Sequence, residues 1–140
     1  MRFWDASAIV PLVFRQSSSG RITEALRLDR AMTVWWGTPL ECESAIARRE
    51  REGVLSAVDA DQARSALAAL SEGWAEIEPS PECRERAMLL LRRYPIRAAD
   101  ASQLAAALVW SDGRPRDRLL CTLDDRLAMT ARREGFTLAL

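Results

Sequence analysis

Carboxylates, hydroxyls and arginines are the side chains of this chain that could do chemistry. The sequence contains no histidine and no lysine, so all 20 basic residues are arginines. These absences exclude Ser-His-Asp and Cys-His catalysis, histidine zinc sites, lysine nucleophiles and the phosphate-binding P-loop. The cysteines Cys42, Cys83 and Cys121 are widely spaced and odd in number, so we predict reduced core residues rather than a disulfide framework or a zinc knuckle.

Four acids lie at the predicted ends of strands or in the first turns of predicted helices. Asp5 directly follows a strand-like run, and Asp124 follows a later one by two residues. Glu41 and Asp100 lie in the first turns of predicted helices. In open α/β sheets, active sites lie beyond the carboxyl ends of the strands, beside the helix N-termini. An alternative interpretation of Glu41, Asp100 and Asp124 is that each is an ordinary helix-start acid.

Asp5 is the hardest of these acids to explain as an ordinary surface residue. It lies between Phe3-Trp4 and the apolar segment 8–13, so we expect its side chain to be partly buried. A buried carboxylate is costly unless it is paired or bound to a metal. Clustered carboxylates also repel one another and are stable together only around a cation. Asp5 therefore indicates a site.

The elements that must position these acids alternate between short strands and longer helices. Strands are predicted over 2–4, 32–36, 74–77, 119–122 and 136–138, and helices over 8–15, 20–28, 39–52, 56–71, 81–93, 98–110 and 125–134. Strands separated by helices imply right-handed crossovers and a mostly parallel sheet covered on both faces. We therefore predict one three-layer α/β/α domain over 1–140.

Four short segments, in order and spanning nearly the whole chain, resemble the motifs of PIN-domain ribonucleases. Residues 3–8 contain the D-x-S-A start, and residues 122–127 fit the T-x-D-x-x-L pattern. Segments 38–48 and 96–105 resemble the second and third motifs, with their acids at Glu41 and Asp100. One departure is Gln103, where many members carry histidine, and we interpret it as a tolerated replacement.

The resemblance is closest to the VapC-type toxins of type II toxin–antitoxin systems. It implies a five-stranded sheet in the order 3-2-1-4-5, binding of Mg²⁺ or Mn²⁺, and endoribonuclease activity. The partners it implies are an RNA substrate and a cognate antitoxin, with assembly as a homodimer or a toxin–antitoxin hetero-oligomer. The apolar side chains of segment 9–14 either contribute to such surfaces or form plain core; they are Ile9, Val10, Leu12, Val13 and Phe14.

The resemblance assigns the four acids as catalytic residues and as direct or water-mediated metal ligands. Their all-oxygen chemistry favours Mg²⁺ or Mn²⁺ over zinc or copper. Such an ion lowers the pKa of a bound water and orients it in line with a phosphodiester. Ser7 and Thr122 are candidate supports for the ligands, or plain turn and strand-end hydroxyls. Asp125 is either another support or the alternative to Asp124.

RNA contacts must come from local arginines, because the formal net charge of +0 gives the protein no overall positive charge that would attract RNA. Arg97 is the best candidate because it lies nearest an assigned acid, Asp100, and Arg48 follows Glu41 along one helix. Both arginines could instead belong to a solvated face. Glu43 is an unfavoured ligand, because two residues along a helix place it ~200° around from Glu41.

Other functions remain to be weighed against a nuclease. A haloacid-dehalogenase-type phosphatase needs a second aspartate two residues after the first, where this chain has Ser7. A response-regulator receiver needs a lysine, which is absent. The open alternative is a catalytically silent PIN fold that acts as a protein-interaction module.

We expect the protein to act in the cytoplasm, without a membrane. No segment reaches the ~20 apolar residues that a membrane-spanning helix needs. The candidate signal segment 6–14 is short and contains Pro11. It also follows an acid and precedes no small-residue cleavage site.

Overall fold

Alternating strands and helices run along the whole chain in the computed structural model, which describes residues 1–140. The strands are β1 (Arg2–Trp4), β2 (Met32–Trp35), β3 (Ala75–Ile77), β4 (Leu119–Cys121) and β5 (Thr137–Leu138). The helices are α1 (Ala6–Val13), α2 (Ser19–Leu28), α3 (Thr38–Arg51), α4 (Ala57–Ser71), α5 (Pro81–Arg93), α6 (Ala98–Trp110) and α7 (Asp125–Glu134).

The five strands form one sheet in the order β3-β2-β1-β4-β5. Every neighbouring pair is parallel, so the predicted α/β fold with sheet order 3-2-1-4-5 is confirmed. The central strand β1 lies between β2 and β4. The chain therefore reverses its direction of travel across the sheet at β1, which is where such sheets form a crevice at their carboxyl edge.

The central strand supplies core to both faces of the sheet. Phe3 and Trp4 are each 0% exposed, and they belong to different buried clusters because successive side chains of a strand point to opposite faces. Trp4 packs with apolar residues of α1 to α4, and Phe3 with those of α5 to α7. Replacing either aromatic by alanine typically costs about 3–5 kcal/mol. The predicted three layers are thus confirmed.

Other core predictions are also resolved. All three cysteines are buried and unpaired, which confirms their interpretation as core residues. In the apolar segment 9–14, Ile9 and Val13 are buried, and the three others are partly buried and pack against the same cluster. The segment therefore contributes to the core, and its three partly buried side chains remain candidates for a partner surface. No helix is both long enough and apolar enough to cross a membrane.

The helix α1 begins two residues earlier than predicted, at Ala6. The reason is local: the Asp5 carboxylate accepts a hydrogen bond from the Ser7 backbone N–H and caps the helix where the strand ends. The strand β4 ends one residue early, at Cys121. There the Thr122 hydroxyl accepts the Asp124 backbone N–H at 3.0 Å, which favours a turn over strand pairing.

Candidate active site at the carboxyl ends of the strands

The fold brings together the four acids that the sequence singled out. Asp5 follows β1, Glu41 lies in the first turn of α3, Asp100 in the first turn of α6, and Asp124 is the N-cap of α7. Electrostatic repulsion acts between four pairs of these acids: Asp5 with Glu41, Glu41 with Asp100, Asp100 with Asp124, and Asp124 with Asp5. We call these four residues the acid cluster.

Asp5 is a buried carboxylate, with only 4% of its surface exposed. Its Oδ2 atom accepts the Ser7 backbone N–H at 3.2 Å, the Ser7 hydroxyl, and the Thr122 hydroxyl at 2.9 Å. Burial raises the pKa of Asp5, the bonds from Ser7 and Thr122 oppose that rise, and repulsion from Asp124 adds to it. The other oxygen, Oδ1, accepts no hydrogen bond from the protein.

Ser7 and Thr122 connect the ends of the two central strands. Their hydroxyl oxygens lie 3.2 Å apart. The Ser7 Oγ accepts the Leu123 backbone N–H at 2.9 Å, while the Thr122 Oγ1 accepts that of Asp124. The network therefore fixes the positions of Asp5 and Asp124 relative to each other, and it places both hydroxyls in contact with the acids.

Glu41 is held by a side chain whose role the sequence interpretation missed. The Gln103 Nε2 donates to the Glu41 Oε1 at 3.0 Å and to the Thr38 Oγ1 at 3.1 Å. Gln103 is 1% exposed and Thr38 is fully buried. The sequence interpretation treated Gln103 only as a tolerated replacement and did not anticipate its contact with Glu41. The available signal was a lone amide in an apolar helix, three residues after Asp100 and hence on its face.

The pKa of Glu41 is raised to about 7. Burial is the main cause, followed by repulsion from Asp5, with a smaller contribution from Asp100. The hydrogen bond from Gln103 lowers the pKa and so limits the rise. Glu41 therefore holds a proton more readily than an exposed glutamate when no cation neutralises the cluster.

Asp100 and Asp124 each accept, with one carboxylate oxygen, a hydrogen bond from a backbone N–H at a helix N-terminus. The Arg97 N–H donates to the Asp100 Oδ2 at 3.4 Å, and the Leu127 N–H donates to the Asp124 Oδ1 at 2.9 Å. Burial and then repulsion from Asp124 raise the pKa of Asp100, against the opposing effects of Arg97 and Arg126. Asp124 is confirmed as the cap of α7.

All four acids share one arrangement of their oxygens. In each, one carboxylate oxygen accepts hydrogen bonds from the protein and the other accepts none. None of the four forms an ion pair, although other acids of the chain do. The cluster is thus positioned by half of its oxygens, while the other half remain without a protein donor.

The donor set of the cluster fits a hard divalent cation. All of its ligand atoms are carboxylate oxygens, which suit Mg²⁺ or Mn²⁺. No three acidic or cysteine side chains already have the spacing of ligands around one ion. Mg²⁺ in proteins keeps several waters and binds through one or two carboxylates plus substrate phosphates, rather than in an all-protein cage. The residues present therefore fit a partly hydrated ion.

Two arginines border the acid cluster. Arg97 and Arg126 line an open depression of about 360 Å³ together with Asp100, Asp124 and Asp125. Both arginine side chains are exposed, and neither forms an ion pair. Arg97 thus lies beside Asp100, as expected for the predicted RNA contact. The sequence interpretation did not single out Arg126. Its position in segment 122–127, beside two acids, was the available signal.

The remaining predicted residues lie outside the acid cluster. Asp125 is exposed, and it is not among the acids whose repulsion raises the pKa of Asp5 or Asp100. Arg48 is exposed on α3, seven residues after Glu41 and so two turns along the same face. Glu43 pairs with Arg64 at 2.9 Å, in keeping with its predicted place away from Glu41.

Comparison with known proteins identifies the fold class but no family. The chain matches no family model and no curated protein. It is similar to the crystal structure of PAE2754 from Pyrobaculum aerophilum, with a TM-score of 0.68 and 20% sequence identity. The match covers 99% of this chain and 88% of that one. At this identity the similarity supports the three-layer α/β fold alone.

Proposed function

We propose that this protein is a metal-dependent endoribonuclease that hydrolyses RNA phosphodiesters, acting in the cytoplasm as the toxin of a type II toxin–antitoxin system. One observation carries the nuclease proposal. Four carboxylates from four separate helix starts surround the carboxyl end of the central strand, and each keeps one oxygen without a protein donor. Such a set of acids favours binding a hard cation.

The residues of the cluster have distinct roles in this proposal. Asp5, Glu41, Asp100 and Asp124 would hold Mg²⁺ or Mn²⁺ directly or through water. When bound, the ion lowers the pKa of a water molecule and offsets charge on the leaving oxygen. Ser7, Thr122 and Gln103 hold three of these acids in place, and such supporting contacts tune a metal site.

Substrate binding in this proposal relies on arginine. The exposed guanidinium groups of Arg97 and Arg126 beside the acids suit phosphate oxygens, which arginine can bind through two parallel N–H bonds. Arg48 extends the same face along α3. Water attacks the phosphorus, the bond from phosphorus to the leaving oxygen breaks, and that oxygen takes up a proton. One acid of the cluster assists in removing the proton of the water.

The toxin role and the partners rest on the resemblance of the four motifs to VapC-type toxins. We propose that a cognate antitoxin occupies the acid cluster when the toxin is silent. A homodimer or a toxin–antitoxin hetero-oligomer is the assembly that the resemblance implies.

The test is cleavage of single-stranded RNA by the purified protein with Mg²⁺, with Mn²⁺ and with EDTA. We expect cleavage with either metal and none with EDTA. Asp100→Asn, purified in parallel, is the control for contaminating ribonucleases. Calorimetric titration with Mg²⁺ alone measures binding separately from turnover. Failure to cleave, together with failure to bind Mg²⁺, would refute the nuclease.

The alternative is a PIN-like fold that acts only as a protein-interaction module. It is favoured by the absence of three acids at metal-ligand spacing, and by the exposed apolar side chains Met88, Leu89 and Leu91 of α5. The same assay decides between the two, because an interaction module would show neither metal-dependent cleavage nor Mg²⁺ binding.

A further inference from the structure

A groove of about 370 Å³ lies on the far side of α6 from the acid cluster. It runs between α5 and the first turns of α6, at the carboxyl end of β2. Ala98 and Ser102 line it, and these two residues flank Asp100 at equal distances along α6. The groove and the cluster are therefore separated by one helix diameter, roughly 10 Å. A nucleic-acid strand bound at the acid cluster could therefore also reach the groove.

The aromatic wall of the groove is Trp35, whose position depends on a glycine. A Cβ atom added at Gly37 would lie 2.6 Å from the Trp35 Nε1 and 3.0 Å from its Cδ1. Trp35 is partly buried against the second core cluster, and its indole N–H donates to no protein acceptor. The wall is thus an aromatic ring whose Nε1 edge packs against Gly37.

The charge beside this wall favours an anionic occupant. Arg84 lines the groove and is exposed without an ion pair, whereas Arg86 of the same helix pairs with Glu82 at 2.9 Å. Burying an unpaired guanidinium beneath an apolar peptide or a second copy of the chain would be costly. A nucleotide matches both features, because its base can stack on the ring while its phosphate meets the arginine.

We propose that this groove is a subsite for an unpaired base of the RNA substrate. The base stacks on Trp35 against Met88, and Arg84 contacts a neighbouring phosphate. The inference rests on the proposed function, and it requires that the bound base is unpaired, since a base within a duplex is already stacked and paired.

The first experiment measures binding in EDTA, where metal-dependent cleavage plays no part. A fluorescent single-stranded RNA 12-mer is compared with its duplex, and with 12-mers that carry one abasic position each. We expect tighter binding of the single strand, and a roughly tenfold loss of affinity at one or two abasic positions. In Trp35→Leu the same abasic positions should cause no further loss. Equal abasic responses in both proteins, or no measurable binding, would overturn the subsite.

Matched variants keep the test sharp if Trp35→Leu folds poorly. Met88→Glu and Leu89→Glu add the same charge at adjacent, exposed positions of α5, but only Met88 lines the groove. We expect Met88→Glu to weaken RNA binding at least several-fold more than Leu89→Glu. Likewise Arg84→Gln should weaken binding more than Arg86→Gln. Equal effects within either pair would indicate general electrostatics and overturn the subsite.

The subsite and the nuclease can fail separately. Cleavage in Mg²⁺ with no abasic response in EDTA refutes the subsite and leaves the nuclease. An abasic response without cleavage refutes the nuclease and leaves an RNA-binding groove. Sedimentation that shows a dimer broken by Met88→Glu, with RNA binding unchanged, would assign the groove to a second copy and overturn the proposal.

Discussion

The starts of α4 and α6 are nearly the same local structure, yet they carry acids with different surroundings. Asp59 and Asp100 are each the third residue of their helix. The carboxylate of each accepts the backbone N–H of the residue before the helix at 3.4 Å, from Ser56 and Arg97 respectively. At α4 the Ser56 hydroxyl also accepts the Asp59 N–H at 3.1 Å, which completes a capping box.

What distinguishes the two acids is tertiary structure. Asp59 is exposed and lies outside the acid cluster. Asp100 is half-buried and is repelled by Asp124 and Glu41. The hydrogen bond from the Arg97 N–H agrees with the helix-start interpretation of Asp100, and the burial and repulsion are features that Asp59 lacks. A backbone N–H engages only one carboxylate oxygen, so the same residue can start a helix and still offer an oxygen to a cation.

The largest expected difference between the two acids is in catalysis. Asp100→Asn removes a charge that the metal needs, so RNA cleavage should fall by orders of magnitude and Mg²⁺ binding should weaken. The matched variant Asp59→Asn should cleave normally and lose only ~0.3–1 kcal/mol of stability. In EDTA, Asp100→Asn should melt no lower than the unmodified protein, because one repulsive charge is gone. Equal cleavage by the two variants would contradict the ligand assignment.

An intermediate effect is expected at Gln103, which distinguishes the acid cluster from an ordinary helix start. Gln103→Leu leaves Glu41 and the Thr38 hydroxyl without their donor, so cleavage and Mg²⁺ affinity should fall by roughly 10–100-fold. Gln103→His restores an N–H donor and should recover most of both losses. A purely structural role would instead lower the melting temperature in Gln103→Leu and leave the Mg²⁺ affinity of the folded protein unchanged.

The smallest effect is a pH dependence of stability that arises from Glu41. The pKa of Glu41 is about 7 in the folded protein against an ordinary value of 4.5, so the folded state binds the proton more tightly. This contribution is fully present below pH 4.5 and is lost as the pH rises through 7. In EDTA the protein should therefore lose stability between pH 5 and pH 8.

The matched pair for this measurement lies within α3. Glu41→Gln should flatten the pH dependence of denaturant unfolding, while Glu43→Gln, which breaks a surface ion pair with Arg64, should change stability only slightly. The same slope in both variants would mean that Glu41 is not the titrating group. The raised pKa values of Asp5 and Asp100 act in the same direction, so some slope should remain in Glu41→Gln.

The sequence by itself determined the elements and the edge of the sheet at which the acids would meet. Strand-like runs and helical periodicity are local patterns, and the predicted helices over 81–93, 98–110 and 125–134 match α5, α6 and α7 to the residue. Alternation of the two element types then leaves few topologies besides a parallel sheet. Burial of Asp5 also followed from its immediate neighbours.

Only the tertiary structure decided what each polar side chain touches. Gln103 and Glu41 lie 62 residues apart, and nothing local marks them as partners, yet their contact at 3.0 Å fixes one oxygen of the cluster. The groove beside Trp35 likewise depends on two helices and a strand end that meet only in the fold. Hydrogen bonds and repulsion act over a few ångströms in space, whereas sequence patterns record only neighbours along the chain; for that reason Asp59 and Asp100 have the same local signature and different surroundings.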